Sequence, residues 1–152
     1  MTSLVIHGAL GVVTICLFFY FNANLYKAGW SGAGVTPLEA VYYLIALASV
    51  CTGWYFNIQY VETYGTQAGW VHFTKMLFTN PAAGSGSQDL VAANVLLFPL
   101  WTMIDGPRRG LRGTWIYFVM SLFTSFAFAM ALYLAAMERQ VRWQAQAGGT
   151  KA

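Results

Sequence analysis

The chain has 152 residues, of which 58% are hydrophobic and 9% charged, with a formal net charge of +3. Soluble domains carry roughly 25% charged residues, so this composition excludes an ordinary water-soluble globule, which needs more polar surface over its core. The length allows one compact bundle, and the scattered positive charges form no basic stripe, which sets nucleic acid aside as a partner.

The charges lie in the gaps between uncharged runs at Met1–Tyr26, Ala40–Val61, Leu90–Ile104 and Gly113–Met137. About 20 apolar residues at 1.5 Å rise cross roughly 30 Å of hydrocarbon. The pattern therefore predicts an all-α, polytopic membrane protein with four transmembrane helices, forming a single membrane domain over residues 1–152.

The first helix is expected over residues 4–24. It lacks the basic n-region and small-residue cleavage site of a signal peptide, so it is read as a retained span. Tyr26, Lys27 and Trp30 follow as an interfacial anchor, and Gly29 to Pro37 is a loop by its glycines and proline. Thr36-Pro37-Leu38-Glu39 is a capping box with proline at the first helical position, so the second helix starts at 37 and continues to 64. Over 69–79, Trp70, Phe73 and Leu77 recur at helical spacing while His72, Lys75 and Thr79 fall off that row. This predicts a short amphipathic helix on the membrane surface.

Asn80-Pro81 is read as the end of that helix, and Ala82 to Gln88 as a Ser/Gly-rich turn. The third run has only fifteen uncharged residues between Asp89 and Asp105, which is ~22 Å of helix and too short for the hydrocarbon. Its span is placed at 86–104, with an early start that brings Asp89 into the first turn and with Pro99 as a kink. Asp105 to Arg112 is a basic turn, the fourth helix spans 114–137, and 138–152 is a polar, frayed tail.

From Tyr42 to about Arg139 the chain resembles a bacterial membrane family, the domain of unknown function DUF2834. The residues that carry the likeness are Trp54-Tyr-Phe-Asn-Ile-Gln59, Leu77-Phe-Thr-Asn-Pro81, Asp89-Leu90, Asp105-Gly-Pro-Arg-Arg-Gly110, Trp115-Ile-Tyr117 and Leu132-Tyr-Leu before Glu138-Arg139. The first helix stands as an addition to a three-helix family unit, and Phe126-Ala-Phe-Ala-Met130 departs from the pattern by lacking a proline. The resemblance implies a membrane protein and carries over no catalytic residue.

With four crossings, His7, Glu62, His72, Lys75, Asp89, Glu138 and Arg139 fall on one side. Tyr55, Gln59 and Glu62 share a helix face at i, i+4, i+7. Intramembrane ionisable groups are functional candidates; Tyr55, Gln59, Glu62, His72, Lys75 and Asp89 are thus the ligand-binding set. Glu62 and Asp89 are the acid/base pair if the protein is an enzyme. The structural alternative puts Asp89 at a helix dipole and pairs Glu62 with Lys75 or Arg139. His7 and His72 are weak metal candidates, since imidazole is a common ligand; without a paired histidine motif, hydrogen bonding to backbone or headgroups is the plainer role. Cys16 and Cys51 lack zinc spacing and read as small apolar residues.

Aromatics at 18–21 point all round the first helix, and Phe118, Phe123, Phe126 and Phe128 crowd the fourth. Such crowding suits lipid, a carotenoid, a quinone, a chlorophyll-type pigment or a neighbouring subunit. Ser121, Ser125 and Ala129, four apart, allow a second helix to approach closely. The leading expectation is a non-enzymatic accessory or assembly subunit bound to lipid and other membrane subunits. The main alternative is an enzyme acting on an isoprenoid-type lipid, and the third is a small transporter. The positive-inside count is tied, with Lys27, Arg108, Arg109 and Arg112 against Lys75, Arg139, Arg142 and Lys151. Placing the arginine turn inside a cell inner membrane puts both termini outside.

Overall fold

A computed structural model describes residues 2–26 and 34–149. Lys27, Trp30, most of the glycine loop after it, and Lys151 lie outside the described residues. The described chain is all helical, without a strand: α1 (Thr2–Phe21), α2 (Ala23–Tyr26), α3 (Pro37–Tyr64), a 3-10 turn (Gly65–Gln67), α4 (Trp70–Met76), α5 (Pro81–Val91), a π segment (Ala92–Leu97), α6 (Phe98–Arg108), α7 (Trp115–Phe123) and α8 (Phe126–Gly149). Three stretches are long and apolar enough to cross a membrane: Leu4–Phe21, Pro37–Gln67 and Pro81–Arg108. The protein is a helical membrane protein.

Helix α3 begins where its capping box predicts, with Thr36 Oγ1 accepting from the Glu39 N–H at 3.1 Å. The same chemistry overturns the expected turn at 82–88. Asn80 is an N-cap whose side chain accepts from the Ala83 N–H at 2.9 Å, with Pro81 at the first position. The helix therefore starts at Pro81 and runs unbroken through α5, the π segment and α6 to Arg108. At 28 residues it is ~42 Å long, so the shortfall in the third run disappears. Asp89 sits about two turns inside this helix rather than in its first turn. Pro99 cannot donate to the ladder and crowds the carbonyl four residues back. Just before it the helix widens, and the Phe98 N–H bonds to the Ala93 carbonyl five residues back, which spreads the distortion over a π turn.

The largest departure is in the fourth run, which is two helices instead of one. Thr124 leaves helical geometry at φ −121°, ψ −90° and stops α7. Ser125 Oγ then accepts from the Phe128 N–H at 3.1 Å, an N-cap that starts α8. The two helices fold back on each other, with the Tyr117 and Tyr133 rings 5.1 Å apart. The polar stretch after residue 137 is helical to Gly149 instead of frayed. Ser121, Ser125 and Ala129 consequently share no single helix face.

The apolar half of α8 is the centre of the bundle. Ala129, Tyr133, Ala135 and Ala136 are fully buried, and α8 packs on α3, α7, α2 and α6. Around it α1 lies against α7, where Phe18 meets Tyr117 with ring centroids 5.7 Å apart. Phe18 belongs to this core, while Phe19 and Tyr20 face outward; Phe128 is buried and Phe118, Phe123 and Phe126 are half-buried. The fourth-run aromatics thus mainly pack inside the bundle. Cys16 and Cys51 are exposed and unpaired on the outer faces of α1 and α3.

Candidate functional site

The hairpin turn of α7 into α8 decides which residues meet. Antiparallel packing of α8 on α3 sets Ser125 beside Gly53 and carries Arg139 to Glu39, near the start of α3. Glu138 and Arg139 therefore stand at the opposite end of α3 from Glu62, which corrects the expectation that these residues share one side and removes Arg139 as a partner for Glu62. Described residues near the two chain ends lie at opposite ends of the bundle, with His7 packed on Phe123 and Gln144 bonded to the Arg109 carbonyl.

At the Glu39 end, a carboxylate with no solvent exposure is held by three donors. Tyr43 Oη donates to Glu39 Oε1 at 2.8 Å, Arg139 Nε donates to the same oxygen, and Arg142 Nη2 donates to Oε2. Arg139 also donates to the Leu25 carbonyl at 3.1 Å and stacks over the Tyr26 ring at 4.7 Å. Arg142 donates to the Gly34 carbonyl at 2.9 Å, and its Nε lies 3.8 Å from Glu138 Oε1. Two arginines and two glutamates make the cluster formally neutral. Burial, reinforced by the hydrogen bond with Tyr43, pushes the Tyr26 phenol far above its ordinary range, so it stays protonated. A carboxylate bonded on both oxygens and shut from solvent is poorly placed to take a substrate's proton; this arrangement ties α2, α3 and α8 together. Separately, at the end of α6, Asp105 pairs with Arg109 at 2.8 Å and accepts from Tyr133 Oη at 3.2 Å.

The residues singled out from the sequence lie at the other end. Gln59 Nε2 donates to Tyr55 Oη at 2.8 Å on the exposed face of α3, with Glu62 exposed one turn on. His72 Nδ1 is hydrogen-bonded to Tyr60 Oη at 2.8 Å, and its ring lies 4.6 Å from Tyr64. Tyr60 Oη also bonds the Gly69 backbone, which docks α4 on α3. Lys75 is exposed and lines a shallow depression with Trp70, Val71, Thr74 and Phe78. Asp89 is exposed and accepts from Gln88. Glu62 and Asp89 share no hydrogen bond or ion pair among the described residues.

His7 has a structural task. Its Nε2–H donates to the Leu122 carbonyl at 3.2 Å, and its ring packs on Trp70 and Phe123 at 5.2 and 5.3 Å. Within a membrane, the carbonyls freed at a helix break need donors. His7 supplies one at the end of α7; Thr124 Oγ1 bonds the Met120 carbonyl at 2.7 Å, which also keeps the Thr124 N–H at 2.9 Å. Ser121 Oγ adds a tie to Asn94 Oδ1 in the π segment at 2.7 Å. Among the described residues no group of three His, Cys, Asp or Glu side chains is arranged to hold a metal ion.

Sequence reasoning missed Glu39, Arg139, Arg142 and Tyr43 as a set. Glu39 was visible as a capping residue with Tyr43 one turn on, but its arginine partners are a hundred positions away and become reachable only through the reversal at Thr124-Ser125. That pair of hydroxyl residues inside an apolar run was the available signal.

The family model described as "Protein of unknown function DUF2834" matches residues 41–139. No curated protein and no solved structure matches the chain.

Proposed function

The chain belongs to the DUF2834 family, and we propose that it is a non-enzymatic accessory or assembly subunit, packing against a larger membrane complex, its lipids and a bound carotenoid, chlorophyll-type pigment or quinone. One observation supports this reading more than any other. The most deeply buried carboxylate, Glu39, is occupied by Arg139, Arg142 and Tyr43 in holding the bundle together. The exposed carboxylates Glu62 and Asp89 face no common enclosed space among the described residues. The outward faces are rich in large apolar side chains, including Val5, Tyr20, Leu44, Phe56, Leu97 and Trp101, which suits contact with lipid tails and neighbouring helices. The enzyme alternative needs Glu62 and Asp89 on one substrate, and no contact of theirs favours it.

Purification of the full chain from native membranes in a gentle detergent tests the proposal. Other membrane subunits are expected to co-purify in fixed ratio, with a visible or near-ultraviolet band from the bound pigment or quinone. A colourless monomer would contradict the proposal. So would abolished lipid turnover in Glu62→Ala and Asp89→Ala variants that still fold and assemble.

A further inference from the structure

The hairpin concentrates positive charge at one end of the bundle. Arg108, Arg109 and Arg112 of the turn after α6 join Arg139 and Arg142 there, against the carboxylates Glu39, Asp105 and Glu138. The opposite end carries Lys75 against Glu62 and Asp89. The tied loop count of the sequence depended on a fourth crossing, and the reversal at Thr124-Ser125 breaks the tie.

Within the basic end the excess lies on the turn. Arg139 and Arg142 engage Glu39, and Arg109 engages Asp105. Arg108 and Arg112 are exposed and form no ion pair among the described residues. The turn that displays them is firmly built. Leu111 is buried, its N–H bonds to the Gly106 carbonyl at 3.0 Å, and Gln144 Nε2 donates to the Arg109 carbonyl at 2.8 Å. Asn22 Nδ2 reaches the Arg112 carbonyl at 3.4 Å from the end of α1. Trp115 next to the turn and Trp101 two turns deeper on α6 are 45% and 42% exposed. Exposed tryptophans beside unpaired arginines match the headgroup layer, where indole rings settle and guanidinium groups meet phosphate.

We propose that Arg108 and Arg112 seat this end on anionic phospholipid headgroups of the cytoplasmic leaflet. The 105–112 turn and the end of α8 then lie inside, and the start of α1, the 3-10 turn after α3 and α4 lie outside. The negative surface potential of that leaflet supplies the attraction. The seat is independent of the subunit reading, because it requires only a bilayer.

Two measurements on the full chain test it, with Cys16 and Cys51 replaced by serine. In spheroplasts, an impermeant maleimide is expected to label Thr66→Cys and spare Ala145→Cys, with the reverse in inverted vesicles. The opposite labelling overturns the orientation. In nanodiscs of mixed phosphatidylcholine and phosphatidylglycerol, lipid retained by the purified protein is counted by native mass spectrometry. The wild type is expected to favour phosphatidylglycerol on the order of tenfold over the Arg108→Gln/Arg112→Gln variant. The Arg108→Lys/Arg112→Lys variant, which keeps the charge, is expected to retain most of the preference. No preference in the wild type, or full preference in the glutamine variant, overturns the headgroup contact and points to an acidic protein partner instead.

Discussion

Glu39 begins as a capping residue and ends as the most buried charge among the described residues. Its backbone N–H donates to the Thr36 cap, its side chain turns inward, and two arginines from α8 meet it there. A buried ion cluster contributes little net stability relative to apolar packing, but removing one sign leaves the other uncompensated at a cost of about 3–5 kcal/mol. Glu39→Leu strands both arginines and is expected to lose stability in that range. Arg139→Met leaves Arg142 and Tyr43 on the carboxylate and is expected to lose less. Unfolding in mixed detergent micelles checks the order; equal or reversed losses would contradict the cluster. The capping role was legible because it depends on three adjacent positions. The ion cluster was not, since nothing local to Glu39 tells which distant arginine reaches it.

At the scale of elements, start signals govern how well the sequence could be read. Thr36-Pro37 and Asn80-Pro81 are the same N-cap and first-position pair, yet the small residues after Pro81 disguised the second as a turn. Glycine and serine weaken a helix in water, but a helix within a bilayer satisfies its own backbone where no water is available. The break at Thr124-Ser125 was hidden for the opposite reason, because uniform apolarity masked two hydroxyl residues that stop one helix and cap the next. The turn feeding this hairpin is equally demanding. Gly113 has φ +61°, and a Cβ there would press into the Phe21 ring. Gly113→Ala combines left-handed backbone strain with overpacking, and about 2–4 kcal/mol of destabilisation is expected by the same unfolding assay. An unchanged midpoint would contradict the close contact between this turn and α1.

For the whole molecule, the gaps between uncharged runs were enough to establish the membrane class, and the residues quoted for the family match all lie within 41–139. The reversal inside the fourth run was not available from those gaps, because a helical hairpin and one continuous helix have the same composition. Part of what followed from parity changed with the hairpin: Glu138 and Arg139 left the Glu62 end and the arginines gathered, while His7, packed on Trp70 of α4, and His72 stay at that end. The central claim is therefore that α8 returns to the end of α3 where it starts. Spin labels at Thr66→Cys and Ala145→Cys, in the protein with Cys16 and Cys51 replaced by serine, measure it directly by pulsed electron resonance in nanodiscs. The 28-residue length of α3 separates the two ends, so a distance of about 40 Å or more is expected. A distance below about 25 Å would place the end of α8 beside Glu62, as a straight fourth crossing requires, and would contradict the account.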